Sequence, residues 1–256
     1  MKINKIKKLS ANKYELVFET GEKLKTYDEV ILKYNLLYKK DIDKDTYQEL
    51  MRANDYYSIY NNSIKYLTKK MHSKKDFLKF IDKYEMNNSD KTRMIKELES
   101  LKLIDDDVYL KAYINDRFYL SSDGPNKIKD SLIKEGIKEE KINIELSKID
   151  EEELNSKIAK IVSKKLKISK GSNYQIREKI LLDMRNLGYN KEDVEPFIEN
   201  VDESSSLEKD YNKIYNSLKN KEKDLNKLEY KIKSKLYQKG YNLTSIDEII
   251  AKKRID

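Results

Sequence analysis

Clustered cations are the chemistry this sequence offers most freely. Lys69, Lys70, Lys74 and Lys75 surround the only histidine, His72; Arg117, Lys127 and Lys129 flank an Asp-Gly-Pro loop at 123–125; Lys164, Lys165, Lys167 and Lys170 precede Gly171-Ser172-Asn173. Grouped lysines can hold phosphate or an acidic protein surface, but they break no bonds by themselves. Groups that could do so are missing. One histidine excludes a two-histidine metal site, the lack of cysteine excludes thiolate chemistry, and neither a Ser-His-Asp set nor a glycine-rich phosphate loop is present. The acidic runs at 104–107 and 150–153 stand ahead of apolar helical stripes. Carboxylates there cap helix starts and suit the backbone dipole, which explains them better than a metal does. No catalytic residue, metal or cofactor is expected, so the chain reads as no enzyme. His72 reads as an exposed residue ahead of a capping box made by Ser73 and Asp76.

For any one of these lysines, plain solvation on a lysine-rich chain is a sufficient account. Recurrence at one place in a repeating unit argues for a site, and the repeat is visible in the glycines. Gly136, Gly188 and Gly240 stand 52 residues apart in both intervals. Four residues before them come Leu132, Met184 and Leu236; eight before come Ile128, Ile180 and Ile232. One residue after come Ile137, Tyr189 and Tyr241, and six after come Ile142, Val194 and Ile246. Spacing by four marks one face of a helix, at ~3.6 residues per turn. A glycine closing that stripe fits the left-handed position past a helix end. A second apolar stripe follows each glycine (Ile142 and Leu146, Val194 and Ile198, Ile246 and Ile250), and another helical pattern precedes each pair. Phe77, Ile81, Met86, Met94 and Leu98 repeat the unit upstream, with Glu85 in the glycine slot.

The expected fold is therefore all-α: four tandem three-helix repeats, at 55–104, 105–153, 154–203 and 204–256, stacked as an elongated curved solenoid. Unrelated helices in an ordinary bundle are the alternative. Charged residues at 39% and hydrophobic ones at 38% suit thin helical layers better than one thick core. Residues 1–40 differ. Tyr14, Leu16 and Phe18 alternate with Glu15, Val17 and Glu19 before Gly21, a hairpin signature, and Ile3, Ile6 and Leu9 are placed in a third strand. A helix is expected from Asp28, and a helical connector at 41–54. The basic N-terminus has no apolar run behind it to make a signal peptide, and no stretch reaches the ~18 apolar residues of a membrane helix. A cytoplasmic protein is expected. Its net charge of +8 permits an anionic partner without requiring one.

The second repeat carries a more specific pattern. Asp105, Asp106, Tyr109, Ala112, Tyr113, Ile114 and Arg117, followed by Gly124, Pro125, Ile128, Leu132, Gly136 and Ile137, resemble the core of the RecX family, regulators of the bacterial recombinase RecA. The stretch at 66–77 is similar to that family's basic helix start, and the N-terminal hairpin resembles its longer Gram-positive members. His72 stands in place of a usual arginine, Leu110 in place of a small residue, and Asp123 in place of a basic one. The resemblance implies tandem three-helix units lying in the groove of the RecA–ssDNA filament. It further implies inhibition of strand exchange, ATP hydrolysis and coprotease activity by a monomer, without chemistry of its own. Lys69, Lys70, His72, Lys74, Lys75, Arg117, Lys127, Lys129, Lys164, Lys165 and Lys167 are the candidate partner contacts; Asp105, Asp106, Tyr109, Gly124, Pro125, Gly136, Gly188 and Gly240 hold the motif. Tyr57, Tyr60 and Tyr119 are candidates for surface contact. Arg117 is read either as a fork toward a partner or as an internal pair with Asp105 or Asp106. The competing function is direct, weak nucleic-acid binding along the basic track. A structural coiled coil is suggested by Leu207, Tyr211, Ile214, Leu218, Leu225, Leu228 and Ile232, but Gly240 in the 52-residue register speaks against it.

Overall fold

The structure is a computed structural model describing residues 1–255; Asp256, the last residue of the fourth expected repeat, lies outside it. The fold is all-α, with tandem three-helix repeats behind a small N-terminal sheet. The chain divides into two compact units, one ending at Leu110 and the other starting at Lys111.

In the first unit, β1 (Ile3–Lys8), β2 (Lys13–Phe18) and β3 (Lys23–Tyr27) form an antiparallel meander. Gly21 turns the hairpin at φ 83°, while Leu9 falls just past β1 and is exposed. Pairing puts Leu16 opposite Ile6 and Leu24, and Phe18 opposite Ile3, so one face of the sheet is apolar. That face packs with α1 (Asp28–Lys33) and with Leu50 and Ala53 of α2 (Lys44–Leu67). The connector expected at 41–54 has no boundary of its own. No proline or glycine interrupts 44–67, and the helix runs through, its later residues Tyr56, Tyr60 and Leu67 joining α3 (Lys74–Ile81) and α4 (Asn88–Ser100) in a second core. Tyr60 is buried there rather than available for a surface contact, and Tyr57 is half-buried. Glu85 does not adopt the left-handed conformation of its glycine counterparts; among the described residues, only Asn35 and Lys102 do so without being glycine.

Helix α5 (Asp106–Leu120) contains the boundary between the units. The second unit continues with α6 (Pro125–Lys134), α7 (Glu139–Leu146), α8 (Glu151–Ile168), α9 (Asn173–Asn186), α10 (Lys191–Val194), α11 (Ser204–Leu218), α12 (Leu225–Gln238) and α13 (Leu243–Ile255). The stripe residues Leu132, Met184, Leu236, Ile142 and Ile246 are wholly buried, each removal from water contributing about 1.5–3 kcal/mol. Gly136, Gly188 and Gly240 end α6, α9 and α12 at φ 86°, 90° and 88°. In each case the next residue's N–H reaches back to the carbonyl five residues earlier (Ile137 to Leu132, Tyr189 to Met184, Tyr241 to Leu236), closing the helix end. The helix expected through Val194 and Ile198 stops at Val194. Pro196 cannot donate the next helical hydrogen bond, and a 3-10 turn at Glu195–Phe197 follows. The run from Leu207 to Ile232 is likewise two helices: α11 and α12 bury their stripes against each other and α13. We keep 55–104, 105–153, 154–203 and 204–256 as the proposed repeat boundaries.

Candidate functional site at the helix junctions

Each basic cluster sits where the first helix of a repeat gives way to the second. At the first junction, Ser73 caps α3 by accepting the Asp76 N–H at 3.0 Å. His72, expected to be exposed, is buried. Its ring stacks on Tyr66 at 3.9 Å, Tyr66 stacks in turn on Phe80 at 4.0 Å, and Nδ1 donates to Asp76 Oδ2 at 2.6 Å. Burial alone would raise the Asp76 carboxyl, but hydrogen bonds from His72 and Tyr66 outweigh it and hold the group below its ordinary range. His72 therefore organises the helix start and is withdrawn from any contact surface. Lys74 pairs with Glu99 at 2.6 Å, and its backbone N–H donates to Asp106 Oδ1 at 2.8 Å. Asp105 caps α5, accepting from Asp107 and Val108 at 3.1 and 3.2 Å. The two motif acids are thus helix caps, one for its own helix and one for α3. Tyr109 is half-buried beside them, and Lys69 and Lys70 are exposed without ion pairs.

At the second junction the hub is Asp123. It takes Lys127 at 2.7 Å and Arg117 at 3.7 Å. Arg117 is half-exposed and lies 5.3 Å from the Tyr113 ring, so its internal acid is Asp123 rather than Asp105 or Asp106. Burial pushes the Asp123 carboxyl up, but Lys127 and Arg117 together keep it below the ordinary value. Lys129 is engaged with Glu139 at 2.7 Å. Beneath the loop, Lys157 of α8 points its ammonium at the Phe118 and Asp123 carbonyls, the latter at 2.9 Å, and over the Phe118 ring. Desolvation lowers its pKa. It neutralises the C-terminal end of α5, where a cation is favoured.

The same loop receives the next repeat. Gly124 N–H donates to Leu187 O at 2.6 Å, Asn126 N–H to Gly188 O at 3.1 Å, and Tyr189 OH reaches the Ser122 and Asp123 carbonyls. A Cβ on Gly124 would lie 2.7 Å from the Gly188 backbone, and one on Gly188 would lie 2.4 Å from Lys127 N. These glycines thus permit backbone to meet backbone, a requirement that comes on top of chain reversal. The third junction repeats the arrangement. Ser172 makes a capping box with Gln175 and donates its hydroxyl to Lys239 O, Asn173 N–H donates to Glu203 Oε2 at 2.6 Å, and Tyr174 packs on Gly240. Asn173 and Lys74 both lead their helices and both give that first N–H to an acid at the start of a later helix; Pro125, in the corresponding place, has none to give.

Of the lysines here, Lys165 is tied to Asp183 at 2.6 Å. Lys164 and Lys167 are exposed and carry no ion pair. They continue a row on α8 that begins with Lys160, which the clusters in the sequence do not reveal but the spacing of four and three does. Lys160 and Lys164 line an open cleft of about 620 Å³ with Phe118, Tyr119, Ser121 and Ser122. Acids close its other end: Tyr119 OH donates to Glu153 at 2.6 Å. Lys157 was missed because its partners, the Phe118 and Asp123 carbonyls, lie more than thirty residues away, and Asp123 because only the loop's path turns Arg117 and Lys127 onto it.

No family model matches the chain. It is similar to the regulatory protein RecX of Enterococcus faecalis, 24% identical over 99% of this chain and 98% of that protein. RecX of Staphylococcus aureus is 25% identical over 84% and 82%, and RecX of Clostridium perfringens is 27% identical over 60% and 76%. Two solved structures share the fold. A crystal structure of regulatory protein RecX matches with a TM-score of 0.61 and 19% identity over 77% of this chain and 98% of that one. RecX from Lactobacillus salivarius matches with a TM-score of 0.52 and 22% identity over 57% and 96%.

Proposed function

Because the chain belongs to the RecX family and has a regulator's relatives, we propose that it binds RecA and the RecA–ssDNA filament and inhibits recombinase, ATPase and coprotease activities without chemistry of its own. One observation supports this most directly. Lys160, Lys164 and Lys167 form an exposed row with no internal partner, beside a cleft that also presents Tyr119. A row of free cations on a stacked-repeat scaffold makes many weak contacts to an extended acidic or phosphate-bearing partner, and such contacts add through multivalency. Arg117, Lys127, Lys129 and Lys165 are already engaged internally, so they belong to the rim of that surface. Among the described residues no helix is long and apolar enough to cross a membrane; the filament proposed as partner would place the work in the cytoplasm.

The test is RecA ATPase on single-stranded DNA with the wild-type chain and with Lys160, Lys164 and Lys167 all changed to Glu. The wild type should suppress hydrolysis. The triple variant should require about tenfold more protein for the same effect, with an unchanged melting temperature, because exposed charges govern encounter more than folding. A wild-type chain that leaves the ATPase untouched yet binds naked DNA as tightly as filaments would replace this reading with direct nucleic-acid binding.

A further inference from the structure

Within its own unit the N-terminal sheet packs its Leu16 and Phe18 face against α1 and α2, while its other face is exposed apart from Tyr27 at one corner. Residues 1–40 hold ten lysines against five acidic residues, a net +5 of the chain's +8. Strand pairing gathers them. Lys7 lies opposite Glu15, which lies opposite Lys25; Lys5 lies opposite Val17, which lies opposite Lys23; and Lys13 lies opposite Tyr27. Since directly paired residues share a face, Lys5, Lys7, Lys13, Lys23 and Lys25 all stand on the side away from Leu16 and Phe18. All five are exposed, and none is in an ion pair. Glu15, the one acid among them, and Val17 are half-buried between the lysine stems.

We propose that this five-lysine sheet face is a contact surface for the phosphate backbone of duplex nucleic acid. Charge complementarity is the first argument: along a strand these lysines recur every ~6.6 Å and adjacent strands stand ~4.8 Å apart, a dense cationic lattice. The second is what the face lacks. Protein interfaces are enriched in tyrosine, tryptophan and arginine and depleted in lysine, the reverse of this composition. Single-stranded nucleic acid needs exposed aromatic rings to stack its bases, and Tyr27, the only ring on this face, is buried. Asn4, the bulge residue beside Lys5, is the one exposed amide near the lysines, and no glutamine or arginine joins it to read base edges, so binding is largely independent of sequence. The surface is separate from the α8 row, and it requires no RecA.

The experiment uses the full chain, labelled duplex and single-stranded oligonucleotides, and no RecA, so its outcome is independent of the regulatory reading. Lys5, Lys7, Lys23 and Lys25 are changed to Gln; a charge-matched control changes the exposed Lys209, Lys213, Lys221 and Lys223 to Gln. The wild type and the control should bind duplex in preference to single strand, with affinity falling steeply as salt rises. The sheet variant should lose at least about tenfold in duplex affinity at low salt, its log–log salt slope shrinking by roughly three to four, with circular dichroism unchanged. Equal losses in the control and the sheet variant would reduce the effect to net charge and overturn the proposal. So would a preference for the single strand, or wild-type binding to phosphatidylserine vesicles but not to DNA. A sheet variant that keeps full duplex binding would also overturn it.

Discussion

Arg117 shows how far a single side chain is decided by neighbours that the sequence does not pair with it. A lysine-rich chain has an arginine here, and a planar fork suggests either a partner's carboxylate or phosphate or an internal acid. Asp123 at 3.7 Å and the Tyr113 ring occupy part of the guanidinium, and half of the side chain faces water. Surface pairs of this kind contribute ~0–1 kcal/mol. Arg117→Lys should therefore leave stability within about 1 kcal/mol by urea titration while weakening RecA inhibition, since lysine keeps the charge and loses the fork. A stability loss above about 2 kcal/mol would assign the arginine to the fold. Unchanged inhibition would remove it from the contact surface.

Among the elements, the turn between the second and third helices of a repeat has two duties that a pair of glycines can separate. Gly21 and Gly188 have nearly the same left-handed backbone, at φ 83° and 90°. Around Gly21 nothing lies within 4 Å of an added Cβ, whereas at Gly188 the Lys127 backbone N would be 2.4 Å away. Gly21→Ala should thus report conformational strain alone, about 1 kcal/mol. Gly188→Ala should cost about 1–3 kcal/mol more, because the α9 turn must then back away from α6. Equal shifts in the urea midpoint would show that the joint yields freely. The left-handed turn was legible from the sequence because helical periodicity and a terminal glycine are local signals. The close approach was not, since nothing near residue 188 announces Lys127.

The whole molecule is held by several thin cores in place of one thick one. Separate clusters surround Leu50, Phe77, Ile180 and Ile232. In such an array stability is a sum of repeat and joint terms, and an end repeat has a neighbour on one side only. Amides of α12 should accordingly exchange with solvent at lower opening free energy than those of α9, measured by native-state hydrogen exchange; equal protection would show one cooperative block. The helical class, the small N-terminal sheet and most of the core were readable in advance, because a 52-residue echo of apolar stripes survives any amount of surface change. The burial of His72 and the engagement of Lys165 were not, because each meets a side chain of a neighbouring helix, and the hub at Asp123 was not, because Lys127 and Arg117 converge on it only through the path of the loop. The junction between α11 and α12 carries one more consequence. Inner junctions meet the following turn with small residues, Gly124 and Ser172, whereas past α11 the chain runs through Lys219, Lys221, Glu222, Lys223 and Asp224 to an exposed Leu225. A second copy offering its own turn would find charge in place of a glycine or serine seat. Seating another turn at this junction would require stripping water from several charged side chains, so the lysines that elsewhere pass for compositional background here work against self-association.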